Sequence, residues 1–263
     1  MERVKTGIPG FDHLVKGGFP KGSTVLLSGT PGTGKSIFAL AFIFNGAIKN
    51  EPGLYVTFEQ PPEELKIQAS LFKWDLGALE KKGLVKFLYV PADATDMNIY
   101  AKIEDAAKEI SAKRLVIDSL GVFYINTEIY SIPLDIKVQE VELERRVKQH
   151  MDRGEFISGG KEGHRERFIY VFIRKLKDLR TTALVIADAE EGSESLTKDG
   201  VSEFASDGVI TMHYTGVAGE EGSYLEVRKL RYTGHERGFV PFEIQEGKGM
   251  IVNESESTSI LLK

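Results

Sequence analysis

The chain of 263 residues contains no cysteine, which excludes disulfide bonds, thiolate metal ligands and cysteine nucleophiles. It also lacks long apolar runs, since no stretch approaches the roughly 18 apolar residues of a membrane-spanning helix. The amino-terminal residues Met-Glu-Arg-Val-Lys do not resemble the start of a secretion signal. From these absences we expect a cytoplasmic protein that does not bind membranes.

Positive charge is not in excess either. There are 34 Lys and Arg residues against 39 Asp and Glu residues, and the formal net charge is −5. This mildly acidic balance argues against a protein that coats nucleic acid non-specifically, although it leaves room for a local basic patch. The length allows one large domain or two small ones.

A glycine-rich loop at residues 29–36 is the most informative feature that is present. It reads Gly-Thr-Pro-Gly-Thr-Gly-Lys-Ser, a complete Walker A pattern, between a short apolar strand pattern and an Ala-rich helix pattern. In such a loop, backbone N–H groups and the positive end of the helix surround phosphate, the lysine reaches the β- and γ-phosphates, and the serine binds Mg²⁺. The predicted nucleotide contacts are Gly29, Thr30, Pro31, Gly32, Thr33, Gly34, Lys35, Ser36 and Ile37.

Alternating strand and helix patterns predict an α/β fold with a mostly parallel central sheet and flanking helices. The first five strands are predicted at residues 23–28, 54–58, 84–90, 114–118 and 183–187. The helices are predicted at residues 37–48, 61–72, 98–110 and 165–179. After Gly208, short runs at 209–214, 224–230, 238–244 and 250–252 predict an antiparallel β extension of one sheet edge near the C-terminus.

One segment, residues 127 to about 164, does not fit this alternation. It is dense in charge and then rich in glycine, and an excursion of roughly forty residues is long for a loop in a compact α/β unit. We therefore predict a single domain over residues 1–263 that carries a charged insertion at about 127–164. The insertion is either a solvated excursion or a contact surface for a protein partner.

Three further groups complete the chemistry that a Walker A loop needs. Asp118 ends a predicted strand and could hold Mg²⁺ together with Ser36, although a surface helix cap would also place an aspartate there. Glu59 ends another strand and could activate the attacking water, or could be a solvated carboxylate. Lys229 and Arg231 could supply positive charge to the γ-phosphate, or could belong to a solvated strand face.

The sequence resembles the KaiC-like ATPases of the RecA superfamily, in a single-domain form. Five blocks beside the Walker A loop carry the resemblance and cover nearly the whole chain apart from the insertion. They are residues 4–22, 51–60, 114–120, 200–210 and 229–235.

The resemblance implies a RecA-like P-loop fold that binds ATP and Mg²⁺ in a homo-oligomer, usually a ring of six subunits. It implies that Lys229 and Arg231 reach the γ-phosphate held by the adjacent subunit. Leu230, Thr233 and His235 would lie near that same nucleotide. Gln60 departs from the family, which commonly has a second glutamate there, so slow hydrolysis is expected. We expect no clock-type autokinase cycle, because the chain has one such domain.

These observations favour a slow Mg²⁺-dependent ATP hydrolase with sites at subunit interfaces of a ring and a regulatory or signalling role. A recombinase-like DNA-binding ATPase is an alternative, which is not favoured. It would use the basic residues Arg165, Arg167, Arg174, Lys175 and Lys177. A third alternative is a non-catalytic scaffold in which nucleotide only stabilises the subunit interfaces.

Overall fold

The fold is taken from a computed structural model that describes residues 1–91, 98–122, 161–190, 195–217 and 220–253. Most of the predicted insertion lies outside these ranges, although its last four residues belong to a helix that begins at Lys161. Within the described ranges, no helix has both the length and the apolar character needed to span a bilayer.

A nine-stranded sheet forms the centre of the described structure. The strands of the chain are β1 (Arg3–Val4), β2 (Phe19–Pro20), β3 (Thr24–Gly29), β4 (Gly53–Thr57), β5 (Val85–Tyr89), β6 (Arg114–Asp118), β7 (Thr182–Asp188), β8 (Gly208–Val217), β9 (Glu220–Leu230), β10 (Val240–Gln245) and β11 (Gly249–Val252). The order across the large sheet is β11-β10-β9-β8-β3-β7-β6-β4-β5, while β1 and β2 pair separately. The strands from β8 to β5 in this order pair in parallel, and β9, β10 and β11 are added antiparallel.

Helices cover both faces of this sheet. They are α1 (Phe11–Leu14), α2 (Lys35–Ala47), α3 (Pro62–Ser70), α4 (Leu76–Lys81), α5 (Ile99–Glu109), α6 (Lys161–Leu176) and α7 (Ser202–Ala205), and a 3₁₀ turn at Lys177–Leu179 follows α6. Apolar residues from α1 to α4 form one core, and those from α5 to α7 form a second core. The alternation of side chains along β3 supplies both, since Val25 and Leu27 face the first core and Leu26 faces the second.

The α/β prediction and the antiparallel extension are confirmed, with some differences in detail. The tail strand predicted at 209–214 pairs in parallel with β3, so the antiparallel region begins one strand later than expected. The helix predicted from Arg165 begins at Lys161. The sequence patterns did not predict α4, whose six residues span less than two helical turns and leave little periodicity to detect.

Candidate nucleotide site

The glycine-rich loop lies at the carboxyl end of β3 and leads directly into α2. Gly32 and Gly34 have φ values of +84° and +89°, in the left-handed region that favours glycine. A Cβ atom on Gly34 would lie 2.8 Å from Ile244 Cδ1, and one on Gly29 would lie 2.5 Å from the Met212 carbonyl oxygen. The backbone therefore has the shape of a phosphate cradle at the start of a helix, and a side chain at Gly29 would collide with the backbone of Met212.

The ammonium group of Lys35 is buried at the base of this cradle. It donates hydrogen bonds to the carbonyl oxygens of Gly29 at 2.7 Å and Thr30 at 2.9 Å. Asp188, the last residue of β7, forms an ion pair with it at 3.3 Å. The lysine is thus held by three oxygen partners beside the position where phosphate would bind.

The predicted metal ligands, Ser36 and Asp118, lie in direct contact. Ser36 Oγ donates to Asp118 Oδ2 at 3.0 Å, and the buried Tyr55 hydroxyl donates to the same oxygen at 2.5 Å. Burial raises the pKa of Asp118, and the charge of Glu59 acts in the same direction, while the bonds from Tyr55 and Ser36 oppose the rise. Burial also raises the pKa of Tyr55 well above its ordinary value, so its hydroxyl keeps its proton and remains a donor.

Glu59 lies just beyond the end of β4 and faces the same edge of the sheet. Its side chain accepts a hydrogen bond from Ser119 Oγ at 2.9 Å. A Cβ atom on Gly121 would lie 3.1 Å from Asp188 Oδ2 and 3.8 Å from Glu59 Oε1. Glu59, Asp118 and Asp188 therefore face one small region at the carboxyl ends of β4, β6 and β7. Gln60 is exposed beside them, and its backbone bonds to Thr57 Oγ1.

The predicted cations Lys229 and Arg231 lie near the amino ends of the parallel strands, which we call the amino edge of the sheet. The glycine loop lies at the carboxyl ends, the carboxyl edge. Leu230 pairs with Gly208, and Gly208 pairs with Val25 near the start of β3. Since a parallel strand rises ~3.3 Å per residue, the six residues of β3 separate this edge from the glycine loop by roughly 17 Å. Lys229 and Arg231 thus cannot reach the cradle of their own chain along β3.

Both cations have partners within the chain. Lys229 Nζ donates to the carbonyl oxygens of Glu203 at 2.9 Å and Ser206 at 2.8 Å, at the end of α7. Burial, and then the charge of Arg231, lower the pKa of Lys229 to about 8. Arg231 contacts Asp207 at 3.3 Å and keeps 41% of its side chain exposed. Of the two, Arg231 is the cation that is more available to another molecule.

The other residues that the resemblance placed near a neighbour's nucleotide are held differently. The Leu230 side chain is buried in the core, so only its backbone could face a nucleotide. Thr233 Oγ1 accepts a hydrogen bond from Arg3 at 3.0 Å. His235 Nδ1 lies 2.9 Å from the carbonyl oxygen of Glu236. Leu230 ends β9, and Thr233 and His235 belong to the segment after it, which also contains Arg231.

The donor set at the glycine loop fits a nucleotide bound with Mg²⁺. Among the described residues, no group of three or more His, Asp or Glu side chains could hold a metal ion by itself. A hydroxyl and a carboxylate are nevertheless in contact at Ser36 and Asp118. This suits Mg²⁺, which prefers oxygen ligands and is commonly bound by one or two protein groups together with substrate phosphates.

The basic residues of α6 do not form a continuous free surface. Lys177, in the turn after α6, pairs with Asp207 at 2.6 Å, and Lys175 lies over the Tyr100 ring at 5.2 Å. Arg167 and Arg174 are exposed, whereas Arg165 is partly buried. This dispersed arrangement gives little support to a DNA-binding groove.

Comparison with known proteins decides the family. The family model described as "ATPase: KaiC" matches residues 4–131 and 156–257. The chain belongs to the KaiC family of ATPases. A UPF0273 protein from Thermotoga maritima is 32% identical, over 97% of this chain and 98% of that protein. The circadian clock oscillator protein KaiC of Nostoc is 29% identical over 93% of this chain, which covers only 43% of that longer protein.

A solved structure gives the same result for the fold of this KaiC family member. A KaiC-like protein from Pyrococcus horikoshii has a TM-score of 0.75 and 33% identity, over 96% of this chain and 99% of that one. The predicted single-domain KaiC-like ATPase with a RecA-like fold is thereby confirmed. The match of the family model leaves out residues 132–155, inside the predicted insertion, whose role stays a prediction.

Sequence reasoning missed three residues that border the site: Tyr55, Ser119 and Asp188. Asp188 carries the same signal that identified Asp118 and Glu59, because it ends a buried strand whose carboxyl end belongs to the ligand-binding edge. Ser119 follows Asp118 directly. Tyr55 gave no comparable signal, because it lies inside a strand and reads as an ordinary core aromatic.

Proposed function

We propose that this protein binds ATP at the glycine loop and hydrolyses it slowly at interfaces between subunits of a homo-oligomeric ring. The observation that supports this most is the position of the two halves of the site. The phosphate cradle and the carboxylates lie at one edge of the sheet, and Lys229 and Arg231 lie at the other. A head-to-tail assembly would bring the two edges together, and such heterologous interfaces form rings when the rotation between subunits closes.

In this proposal, each group at the carboxyl edge has one role. Lys35 and the backbone N–H groups of residues 32–36 bind the β- and γ-phosphates. Mg²⁺, when bound, neutralises charge that develops on the phosphates, and Ser36 and Asp118 would hold it. Glu59 orients the attacking water and accepts its proton, while Ser119 fixes the direction of the carboxylate through the 2.9 Å hydrogen bond.

The positive charge comes from the adjacent subunit. Arg231 approaches the γ-phosphate from that subunit and stabilises the negative charge of the transition state. Lys229 takes part only after it exchanges its carbonyl partners on α7 for phosphate oxygens. The names of the circadian clock relatives favour a regulatory or signalling role for the cycle over a metabolic one.

Phosphate release by the intact protein and its variants tests this function. We expect slow, Mg²⁺-dependent release that falls at least about 100-fold in Lys35→Ala, which cannot bind phosphate well, and in Glu59→Gln, which retains binding. Glu63→Gln is a matched control, because this exposed carboxylate lies four residues further along and away from the site. Equal release from the intact protein and Lys35→Ala would refute the ATPase.

The scaffold alternative gives a different result in the same experiment. ATP would change the oligomer size, measured by light scattering, while Glu59→Gln would behave like the intact protein in both assays. Filter binding of single-stranded DNA over a salt series tests the recombinase alternative, because phosphate contacts would give a steep loss of affinity with salt.

A further inference from the structure

We propose that Asp188 is an internal counterion that occupies Lys35 before nucleotide binds, and that the phosphates of ATP displace it. The proposal rests on the proposed nucleotide binding at the glycine loop. It assigns Asp188 a regulatory role at that site, as a residue that lowers the affinity for nucleotide and responds to its arrival.

The first argument is the number of partners around Lys35. A lysine ammonium has three N–H donors and no acceptor. Three oxygens already surround it, namely those of Gly29 at 2.7 Å, Thr30 at 2.9 Å and Asp188 at 3.3 Å. Two of its donors are committed to the carbonyl oxygens and Asp188 is held as an ion pair, so phosphate has to approach a lysine that already has a negatively charged partner.

The second argument is that Asp188 is the partner that phosphate would replace. The two carbonyl oxygens belong to the glycine loop itself and are neutral, whereas Asp188 is an anion, as phosphate is. The contact with Asp188 is also the longest of the three. The Lys35 and Asp188 side chains are only 10% and 28% exposed, so water screens their charges weakly. Two anions beside the same lysine repel each other, and the arrival of phosphate favours release of Asp188.

The third argument is the link between Asp188 and the segment that follows it. The Asp188 carbonyl oxygen accepts a hydrogen bond from Lys198 N at 2.9 Å, and Ser28 Oγ donates to the Leu196 carbonyl oxygen. Asp199 then holds the start of α7 by accepting from Ser202 N at 2.6 Å. The far end of α7 holds Lys229. Asp188 is thus attached through its backbone to a bonded segment that reaches Lys229 at the opposite edge of the sheet.

Affinity for a fluorescent ATP analogue, measured by titration with Mg²⁺ and again with EDTA, tests the proposal without any need for hydrolysis. We expect Asp188→Asn, which keeps the shape and removes the charge, to bind about tenfold more tightly under both conditions. Asp188→Ser should also bind the analogue more tightly, and it serves as a second variant in case Asp188→Asn folds poorly. Glu190→Gln is the matched control, since this substitution removes the same charge from an exposed side chain that does not contact Lys35.

Hydrogen exchange of residues 195–206 supplies a second readout. In the intact protein, we expect the ATP analogue to change the exchange of these amides, and Asp188→Asn to show that changed exchange before nucleotide is added. Unchanged or weaker binding by both Asp188 variants would overturn the proposal. An equal gain in affinity in Glu190→Gln would also overturn it. If the intact protein binds no nucleotide, the proposed function fails as well. If the intact protein binds nucleotide and the Asp188 variants bind it with the same affinity, only the present inference fails.

Discussion

The two edges of the central sheet carry the two halves of the proposed site. At the carboxyl edge, Lys35 pairs with Asp188 beside the glycine loop, and Asp118 and Glu59 lie close by. At the amino edge, Arg231 shares Asp207 with Lys177, at 3.3 Å and 2.6 Å. Roughly 17 Å of strand lies between these edges. The difference teaches that, in the proposed mechanism, one chain holds a binding site and a catalytic cation that it cannot bring together by itself.

The largest expected effect comes from removing the cation at the amino edge. Arg231→Ala should lower the rate of phosphate release about 1,000-fold, the low end of what an arginine finger contributes, while ATP affinity stays nearly unchanged. Arg228→Ala is the matched control, because Arg228 lies three residues before Arg231, on β9, and pairs with Glu226 of its own chain. A fall in ATP affinity without a fall in the rate of phosphate release would contradict the assignment.

The next effect is a recovery of activity in mixtures. Lys35→Ala and Arg231→Ala should each be inactive alone, because each lacks one half of the site. Mixed in equal amounts and allowed to exchange subunits, they should regain activity at about one interface in four, where an intact cradle meets an intact Arg231. Phosphate release measured against time after mixing checks this. No recovery, with exchange shown by mass spectrometry, would mean that the edges do not meet.

A smaller effect concerns the stability of the amino edge. Burial alone would raise the pKa of Asp207, but Lys177, the backbone N–H of Thr24 and Arg231 together lower it below its ordinary value. Its ionised form therefore stabilises the fold above an ordinary carboxyl pKa near 4, and this stabilisation is lost as the pH falls through the lowered pKa. Asp207→Asn should cost about 2 kcal/mol of unfolding free energy at neutral pH.

Urea unfolding at several pH values measures this difference. The gap between the intact protein and Asp207→Asn should narrow as the solution is acidified below the ordinary carboxyl pKa. Asp178→Asn, an exposed neighbour of Lys177, should change the stability by less than about 0.5 kcal/mol. A gap that stays constant with pH would show that the ionised carboxylate is not the source of the stabilisation.

The smallest expected effect lies at the carboxyl edge. Tyr55→Phe removes the hydroxyl that donates to Asp118 at 2.5 Å and leaves the rest of the buried ring in place. We expect the Mg²⁺ concentration for half-maximal binding of an ATP analogue to rise about threefold, because Asp118 loses a bond that fixes its direction. Tyr89→Phe, on the neighbouring strand β5, is the control and should leave it unchanged.

Much of this site could be predicted from the sequence because its signals are local. The spacing of Gly29, Gly34, Lys35 and Ser36 sets the loop geometry without help from distant residues. Asp118 and Glu59 were found because each follows an apolar strand, and parallel strands end at a common edge. Asp188 obeys the same rule, but its ion pair with Lys35 depends on β7 lying next to β3, which the order of elements along the chain does not state.

The sequence by itself determined which groups are candidates for the chemistry: a phosphate loop, two metal ligands, a base and two cations. Only the tertiary structure decided where the cations lie relative to the loop. Lys229 lies near the end of β9 and Arg231 directly follows it, and the antiparallel pairing of β9 with β8 places both at the amino edge. The reason is physical, since strand direction and neighbour choice arise from long-range backbone pairing and packing, which no local residue pattern encodes.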